Sequence, residues 1–415
     1  MAFYMSTSPA IPYIYADNAA TTPLSHAALD AMMPFLTSVY GNPSGIHRMA
    51  REAALALRDA RARMASLLDA ERAEEVYFTS GGSESDNWVL RGAIQRYRDM
   101  YGSDTTPRII TSSIEHHAIL HCCRALERQG VAVTYLPVDE LGRVRTADLE
   151  ATLEANERAT GRKGDPGTAL VSIMLANNEV GTVQDVAELT RIAHAHGVPF
   201  HTDAVQAVGH IPVSVRDLDA DALSLSAHKF HGPRGVGALY LREGFSLPPL
   251  IEGGAQERGE RAGTENLAGI AGMVAALEEA RDGLIARADR LANLRDELTR
   301  HILAEVPDAY QTGDPSCDPS RRLPSIASFA CEHVDGELLV VLLDRAGVAA
   351  ATGSACSTGS TDPSHVLLAI GLNPALAKGA LRLSLADNIT REELDLLKER
   401  VPRTIVRARN LSGTI

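Results

Sequence analysis

The sequence is organised around one stretch, Asp221-Ala-Leu-Ser-Leu-Ser-Ala-His-Lys-Phe-His-Gly-Pro-Arg-Gly-Val-Gly-Ala-Leu-Tyr240. Residues Ala222 to Ser226 alternate as a strand does, and the glycines and proline after Lys229 interrupt the regular backbone. The pattern therefore predicts a lysine at the end of a strand, beside two histidines and a hydroxyl group. Such a lysine can bond covalently to a carbonyl compound if desolvation or a neighbouring cation lowers its pKa from about 10.4. Taken alone, the stretch also fits a solvated lysine on a surface loop.

Two upstream stretches share this arrangement of a strand followed by polar residues. Val198-Pro-Phe-His-Thr-Asp-Ala-Val-Gln206 predicts a short strand that ends at Asp203. Val76-Tyr-Phe-Thr-Ser-Gly-Gly-Ser-Glu-Ser-Asp-Asn87 predicts a strand, a glycine turn and a helix start, which offer N–H groups and hydroxyls to a phosphate. A carboxylate such as Asp203 can bind the pyridinium nitrogen of pyridoxal phosphate and keep its ring an electron sink. Pyridoxal phosphate is therefore indicated by three features on successive strands: the phosphate site, the carboxylate of Asp203 and the amine of Lys229.

Composition limits the classes of protein and of partner. A chain of 415 residues predicts two domains or one large one, and 45% hydrophobic with 22% charged residues is typical of soluble globular proteins. The net charge of −13 argues against nucleic acid as a main partner, because phosphate binding needs basic surface.

Membrane and export signals are not found in the sequence. No apolar run is long enough to cross a bilayer, and the first residues do not predict a secretory signal. Five cysteines are too few and too unevenly placed for a disulfide framework. We therefore expect a cytoplasmic protein without a membrane partner.

Short strands alternate with helical patterns through the first half of the chain. Alternation of this kind predicts βαβ units and a mainly parallel sheet, with ligands bound at the carboxyl ends of its strands. The predicted strands are 75–79, 108–112, 131–136, 168–174, 198–202, 222–226 and 236–241. The side chains expected at the carboxyl ends are Ser80, His116, Asn178, Asp203 and Lys229.

Three further segments have distinct patterns. Residues 151–167 are polar and predict a surface insertion, and residues 307–322 predict a loop rich in Pro, Ser and Asp. Residues 263–306 contain one long helical pattern without proline, which predicts a bridge between two domains.

The chain resembles the cysteine desulfurases of the NifS/IscS type, a branch of the class V aminotransferases. The resemblance runs from Tyr15-Ala-Asp-Asn-Ala-Ala-Thr-Thr-Pro23 to Leu381-Arg-Leu-Ser384. It implies the α/β fold of pyridoxal-phosphate-dependent transferases, with a mainly parallel seven-stranded sheet between helices in a large domain and a smaller α+β domain. The large domain is expected at residues 21–263, and the small domain at residues 1–20 together with 264–415. The small domain would carry the catalytic-cysteine loop 351–365.

The resemblance also implies roles for residues around the cofactor. Its phosphate ligands would be Gly82, Ser83, Ser226 and His228, where Ser83 replaces the threonine that most relatives have. His116 would stack on the ring and move protons, and Asn178 and Gln206 would lie near its phenolic oxygen. The ring nitrogen and aldehyde would be bound by Asp203 and Lys229.

Two more residues have roles implied by the resemblance. Thr264, in Arg261-Ala-Gly-Thr, would donate its hydroxyl to the phosphate in the partner subunit of a homodimer, although a helix N-cap also fits. Arg382 would bind the α-carboxylate of the substrate together with Asn178. Without the resemblance, Arg382 could equally be an edge arginine whose stem is buried and whose head reaches solvent.

Among the five cysteines, only Cys356 lies in a loop of glycine, serine and threonine, Ala351-Thr-Gly-Ser-Ala-Cys-Ser-Thr-Gly-Ser-Thr-Asp-Pro-Ser364. An idle cysteine is the simpler alternative, but a loop that carries sulfur from one place to another needs this composition. A zinc site is also conceivable at the cluster His116, His117, His121, Cys122 and Cys123. Its spacing matches no standard zinc pattern, so we predict no metal.

These features predict an enzyme that converts L-cysteine to L-alanine, with Lys229, His116 and Cys356 as its catalytic residues. The sulfur would pass as a persulfide on Cys356 to an acceptor protein, either an iron–sulfur scaffold or another sulfur carrier. Selenocysteine lyase, an aminotransferase and a non-catalytic scaffold subunit remain alternatives. Only the first two are enzymes, and an aminotransferase would not need Cys356.

Overall fold

The computed structural model describes residues 12–161, 164–353 and 362–412. Cys356 and most of the predicted loop 351–365 therefore lie outside the described residues. The strands are β1 (Ile14–Tyr15), β2 (Val76–Thr79), β3 (Arg108–Ser112), β4 (Ala132–Leu136), β5 (Leu170–Ser172), β6 (Phe200–Asp203), β7 (Ala222–Ser226), β8 (Gly237–Leu241), β9 (Ala309–Gln311), β10 (Ile326–Cys331), β11 (Val348–Ala349) and β12 (Ala380–Ser384).

The α-helices connect these strands and follow the last of them. They are α1 (His26–Thr37), α2 (Arg48–Leu67), α3 (Gly82–Tyr101), α4 (His117–Glu127), α5 (Thr146–Thr160), α6 (Val186–Ala195), α7 (Val215–Leu218), α8 (Leu267–Arg281), α9 (Leu284–Glu305), α10 (Gly336–Arg345), α11 (His365–Ala369), α12 (Pro374–Ala377) and α13 (Arg391–Ser412). No helix in the described ranges is both long enough and apolar enough to cross a membrane.

The described residues form two compact units. One unit comprises the described parts of Met1–Ala20, Asn178–Thr182 and Arg287–Ile415. The other comprises Thr21–Asn177 and Val183–Ala286, and below it is called the sheet unit. The first is called the C-terminal unit, because most of its residues come from the end of the sequence.

The sheet unit contains a seven-stranded sheet with the order β2-β8-β7-β6-β5-β3-β4. Every pairing in the run from β7 to β4 is parallel, whereas β8 is antiparallel to both of its neighbours. Strands β2, β5, β6, β7 and β8 are buried along their whole length, as expected for a sheet covered by helices on both faces. The predicted mainly parallel α/β sheet is confirmed.

The sheet brings several strand ends to one edge. Because β2 and β7 both run antiparallel to β8, they run parallel to each other and end at the same edge as β6. Ser80, Asp203 and Ser226 come at or just after these three ends. These three polar residues are therefore carried by strands that are buried along their whole length.

The helical pattern predicted over 263–306 is two helices, not one. Helix α8 ends at Arg281, and α9 begins at Leu284 after Gly283, whose φ of 62° is in the left-handed region that favours glycine. The predicted domain boundary at residue 263 would separate α8 from the sheet. In the structure α8 packs against α1 and α2, so the sheet unit extends to Ala286.

Residues 151–167 are only partly a surface insertion. Helix α5 continues to Thr160, and Leu153 and Asn156 on it are buried. Asp165 is also buried, and its carboxylate accepts a hydrogen bond from the Tyr97 hydroxyl at 2.6 Å. The polar composition of this stretch thus reflects an internal hydrogen bond as well as solvent-exposed surface.

The C-terminal unit contains two small sheets. Strand β10 pairs antiparallel with β9 and β12, and β1 pairs parallel with β11. Helix α13 buries Leu394, Leu397, Val401, Ile405 and Ala408, a spacing that keeps one helical face on the core. The α+β character predicted for the smaller domain is confirmed.

Candidate active site

Lys229 lies in the 3-10 turn that directly follows β7. The His210 ring nitrogen Nε2 is 2.9 Å from the Lys229 carbonyl oxygen, to which it donates. Thr22 holds the preceding residue, because its N–H and its hydroxyl both donate to the carbonyl of His228 at 3.0 Å. The same hydroxyl accepts the N–H of His231 at 2.8 Å. The lysine backbone is therefore fixed on both sides, which is atypical of a lysine on a free surface loop.

Asp203 is the last residue of β6 and is 5% exposed. Its Oδ1 accepts the N–H of Val205 at 2.9 Å. Burial raises the pKa of its carboxyl group, whereas the Val205 N–H and the charge of Lys229 act to lower it. Asp203 and Lys229 are thus close enough to interact, and a buried carboxylate of this kind is stabilised by any cation that binds beside it.

The glycine turn at the start of α3 lies against the ends of β6 and β7. A Cβ built on Gly81 would be 3.5 Å from Ser226 Oγ, and one built on Gly82 would be 2.5 Å from Val205 Cγ2. Gly81 has a φ of 150° and provides no side chain to cap the helix. The N-terminus of a 20-residue helix with no side-chain cap favours an anion, and here it meets the Ser226 hydroxyl.

Glu84 and Arg261 adjust the charge at this helix start. Arg261 donates to both carboxylate oxygens of Glu84, at 2.7 and 3.0 Å. Burial acts to raise the pKa of Glu84, but the hydrogen bonds from Arg261 and Ser80 outweigh it and lower that pKa. Because Arg261 neutralises the one acidic side chain in the first turn, an anion can still bind there.

His228 and His116 are both half-buried near these strand ends. Burial lowers the pKa of His228 to about 4, and the nearby charges of Lys229 and Arg234 act in the same direction. His228 is therefore a neutral hydrogen-bonding group at pH 7. His116 is the N-cap of α4, and its Nδ1 accepts the N–H of Ala118 at 3.1 Å. This hydrogen bond leaves the ring proton of His116 on Nε2.

Two other predicted cofactor residues differ in exposure. Gln206, three residues after Asp203, is buried, whereas Thr264 is exposed. Thr264 is not the N-cap of α8: that position is held by Asn266, whose Oδ1 accepts the N–H of Gly269 at 3.0 Å. The capping alternative for Thr264 is therefore wrong.

The residues of the sheet unit fit pyridoxal phosphate in their donor chemistry. A phosphate matches the glycine turn with the hydroxyls of Ser83 and Ser226, and a pyridinium matches the buried carboxylate of Asp203. An amine is present at Lys229, one residue beyond His228. Gly82 cannot carry a side chain without moving Val205, which keeps the turn against the end of β6.

Arg382 and Asn178 lie together in the C-terminal unit, with Asp17. Arg382 is 1% exposed, and its Nη1 donates to the Asn178 carbonyl at 2.8 Å. Its Nη2 forms an ion pair with Asp17 Oδ1 at 2.7 Å. The buried Nε has no hydrogen-bond acceptor within the described residues. The alternative of an arginine that reaches solvent at a sheet edge is therefore wrong, and a donor remains for an anionic ligand.

Three buried titratable residues of the sheet unit were not predicted from the sequence. His201 Nδ1 and Nε2 are 2.9 and 3.0 Å from the hydroxyls of Ser172 and Ser224, and burial lowers its pKa to about 3. Asp86 Oδ1 lies 3.7 Å from His201 Nε2, and burial and the charge of Asp203 raise the Asp86 pKa. The sequence did indicate that His201 lies near the site, because it is two residues before Asp203 and alternate residues of a strand share a face.

Glu115 is the third missed residue. Burial raises its pKa to about 8, although hydrogen bonds from the Ser112 hydroxyl and the Met174 N–H act to lower it. It precedes His116 directly, so the two residues are fixed by the same turn. No sequence pattern distinguishes this carboxyl from an exposed one.

Four of the five cysteines are among the described residues. Cys122, Cys123 and Cys331 are buried, and Cys317 is exposed. Burial raises the pKa of Cys122 and of Cys331 to about 11, and it raises the pKa of Cys123 further. Buried, protonated thiols are poor nucleophiles. In the described ranges no group of three or more His, Cys, Asp or Glu side chains is placed to hold a metal ion.

Comparison with known proteins gives one consistent result. The family model for class-V aminotransferases matches residues 14–397. The chain is 47% identical over 401 residues to a cysteine desulfurase of Cereibacter sphaeroides, with 96% of this chain and 97% of the relative covered. It is 44% identical over 399 residues to the cysteine desulfurase IscS of Methanosarcina thermophila, with 96% and 93% covered.

Comparison with solved structures gives the same result as comparison with these relatives. A NifS-like protein superimposes with a TM-score of 0.84 at 36% identity, covering 95% of this chain and all of its own. The protein SspA, solved in complex with cysteine, superimposes with a TM-score of 0.73 at 33% identity, covering 90% of this chain and 98% of its own. Both similarities extend over the two compact units.

Proposed function

From the premise that the chain belongs to the class-V aminotransferase family, and within it to the cysteine desulfurases, we propose that it converts L-cysteine to L-alanine and carries the released sulfur on Cys356. One observation supports the site assignment most strongly. One edge of a single sheet brings together the glycine turn of α3, the buried Asp203, and Lys229 with its hydrogen-bonded backbone.

We propose that the sheet unit holds pyridoxal phosphate. Ser83, Ser226, His228 and the first turn of α3 would bind its phosphate, and Asp203 would bind its ring nitrogen. Asn178 and Gln206 would bind on the side of its phenolic oxygen. When bound, this cofactor supplies an aldehyde for a covalent bond to an amine and a ring that stabilises negative charge at the substrate Cα.

The residues themselves would bind the substrate and move its protons. Arg382 would bind the α-carboxylate through its buried guanidinium, with Asn178 fixing its orientation. Lys229 Nζ would take the proton from the substrate Cα. His116 would donate or accept a proton at Nε2, because Nδ1 is occupied by the N–H of Ala118.

We propose that Cys356 is the sulfur acceptor within the protein. Its thiolate would form an S–S bond with the substrate Sγ while the Cβ–Sγ bond breaks. The electron pair of the broken bond stays on Cβ, which then takes a proton, so that alanine and a Cys356 persulfide result. No outside oxidant or reductant is required. The three buried cysteines are poor alternatives, because burial keeps their thiols protonated.

A second copy of the chain and a sulfur-accepting protein complete the proposal. Thr264 is exposed and does not cap α8, which leaves its hydroxyl for the phosphate of a partner subunit. The persulfide would pass to an iron–sulfur scaffold or another sulfur carrier. A reducing cytoplasmic compartment would keep the thiols free, as they are in the described residues.

The replacement Cys356→Ser tests this function. Cysteine binding requires Lys229, Asp203 and Arg382 but not this thiol, so the variant should stay yellow and show the wild-type spectral change with L-cysteine. It should produce almost no alanine or transferable sulfur. Wild type should gain one sulfur atom on the peptide that contains Cys356.

The exposed Cys317 provides the control, because Cys317→Ser should leave alanine production unchanged. Wild-type turnover by Cys356→Ser, or a persulfide on another cysteine, would contradict the proposal. A wild-type protein that transfers the amino group of cysteine without releasing sulfur would instead be an aminotransferase.

A further inference from the structure

A buried carboxylate in the C-terminal unit lies between the two described ends of the stretch that carries Cys356. Glu179 is 3% exposed, and its Oε2 accepts a hydrogen bond from the Ser364 hydroxyl at 2.5 Å. Ser364 is also the N-cap of α11, since its Oγ accepts the N–H of Leu367 at 3.3 Å. Glu179 therefore fixes the start of α11, on the far side of residues 354–361.

The same carboxylate contacts the near side of that stretch. A Cβ built on Gly353 would be 2.7 Å from Glu179 Oε2 and 3.3 Å from its Cδ. Gly353 has a φ of 154°, so both its space and its backbone conformation disfavour a side chain. One carboxylate thus touches Gly353 and Ser364.

Glu179 is also adjacent to the residues proposed to bind the substrate. The carbonyl of the preceding residue, Asn178, accepts from Arg382 Nη1 at 2.8 Å. Ala351, two residues before Gly353, exchanges backbone hydrogen bonds with Arg382 at 2.6 and 3.1 Å. Arg382 and both flanks of the stretch therefore belong to one hydrogen-bonded group in the C-terminal unit.

We propose that Glu179 is a positioning residue for sulfur transfer. It holds Gly353 and Ser364, on the two sides of the stretch that carries Cys356, in fixed places beside Arg382, where the substrate carboxylate is proposed to bind. The inference rests on the proposed function, and Glu179 itself takes no part in any change of bond.

A carboxylate suits this task better than a neutral group. A hydrogen bond from a hydroxyl to a carboxylate is shorter and stronger than one between neutral groups. A buried carboxylate is also costly unless its oxygens are satisfied, so Glu179 favours the arrangement in which Ser364 donates to it. The amide of a glutamine would keep an acceptor for Ser364 without the charge.

The experiment compares Glu179→Ala and Glu179→Gln with Asp314→Asn as the matched control. Asp314 is buried in the same unit, and its N–H bonds to Thr182, near Glu179 in sequence. Its own side chain accepts the N–H of Ser316 and contacts neither Gly353 nor Ser364 in any hydrogen bond of the described residues. It therefore separates general loss of stability from loss of position.

Two rates are measured on the purified holoenzyme. The first is single-turnover formation of the Cys356 persulfide with saturating L-cysteine. The second is alkylation of Cys356 by iodoacetamide without cysteine, relative to the exposed Cys317. The cysteine concentration for half-maximal spectral change reports substrate binding.

Glu179→Ala should slow persulfide formation roughly tenfold or more, because a charge-assisted hydrogen bond that sets the position is lost. Its alkylation rate at Cys356 should rise severalfold, with cysteine binding within about threefold of wild type. Glu179→Gln, which keeps an acceptor for Ser364 but loses the charge, should give values between those of wild type and Glu179→Ala for both rates. Asp314→Asn should lower only the unfolding midpoint.

Unchanged persulfide and alkylation rates in Glu179→Ala would overturn the inference, as would equal losses in Asp314→Asn. If wild type formed no persulfide, the proposed function would fail. The alkylation comparison would still decide whether Glu179 fixes the segment, because it needs no turnover.

Discussion

Replacement of Arg382 by lysine tests the proposed recognition of the substrate carboxylate. Arg382 is 1% exposed, and its guanidinium donates to the Asn178 carbonyl and to Asp17. Its buried Nε–H has no acceptor in the described residues. A lysine would retain the positive charge. It would lose the planar set of donors that can reach three acceptors at once.

The expected loss follows from the number of donors. A lysine that keeps the ion pair with Asp17 has no donor in the place of Nε, and a hydrogen bond to a charged group contributes about 1.5–3 kcal/mol. At 1.4 kcal/mol for each factor of ten, kcat/KM for L-cysteine should fall roughly ten- to hundredfold. Asp17→Asn should have the opposite effect, because it removes a negative charge that competes with the substrate for Arg382.

The assay measures alanine production from L-cysteine and the spectral response to cysteamine, which has the thiol and the amine but no carboxylate. Arg382→Lys should weaken the response to L-cysteine and leave the response to cysteamine as in wild type. Equal weakening for both compounds would mean that Arg382 acts through the fold. An unchanged kcat/KM would refute the proposed carboxylate binding.

Three further predictions concern the sheet unit and the assembly. The pKa of Glu115 is raised from 4.5 to about 8, so its contribution to stability is fully present below about pH 4.5 and is lost as the pH rises through 8. Glu115→Gln should therefore have a higher urea unfolding midpoint than wild type at pH 9 but not at pH 4. An equal difference in midpoint between variant and wild type at both pH values would contradict this prediction. Thr22→Val should destabilise the fold by about 1–3 kcal/mol, because it loses two hydrogen bonds that hold the turn containing Lys229. The control Thr37→Val, in an exposed part of α1, should destabilise the fold by less than about 0.5 kcal/mol. Equal losses of stability in denaturant titrations would refute this role of Thr22. Inactive Lys229→Ala and Thr264→Ala subunits should regain activity when mixed and re-associated, and no recovery in verified hybrids would argue against a shared site.

The sheet and its ligand edge could be predicted because their signals are local. Each strand of the sheet unit is a short apolar run followed by polar residues. The two adjacent glycines after β2 indicate a turn before α3. The break between α8 and α9 was missed although Asp282-Gly283 is a turn dipeptide. The helical periodicity of the apolar residues continues on both sides of this turn, so the sequence predicted one continuous helix.

Contacts between distant residues could not be predicted. Arg382 pairs with Asp17 and Ser364 with Glu179, and in both pairs the partners are far apart in the sequence. The burial of Glu115 and His201 is likewise set by how helices cover the sheet. The local sequence of Glu115 does not distinguish it from a solvated carboxyl group. The spacing of His201 indicates only that it shares a strand face with Asp203 and does not indicate how deeply it is buried.

The assignment of Lys229 as the residue that bonds to pyridoxal phosphate is the central claim, and borohydride reduction tests it most directly. Borohydride converts the bond between a lysine and this cofactor into a stable secondary amine. Reduction of the yellow protein, digestion and mass spectrometry should then find the pyridoxyl group on the peptide that contains Lys229, in a ratio of one per chain. Pyridoxyl on Lys378 or another lysine, or no label on a protein that still produces alanine from cysteine, would contradict the account.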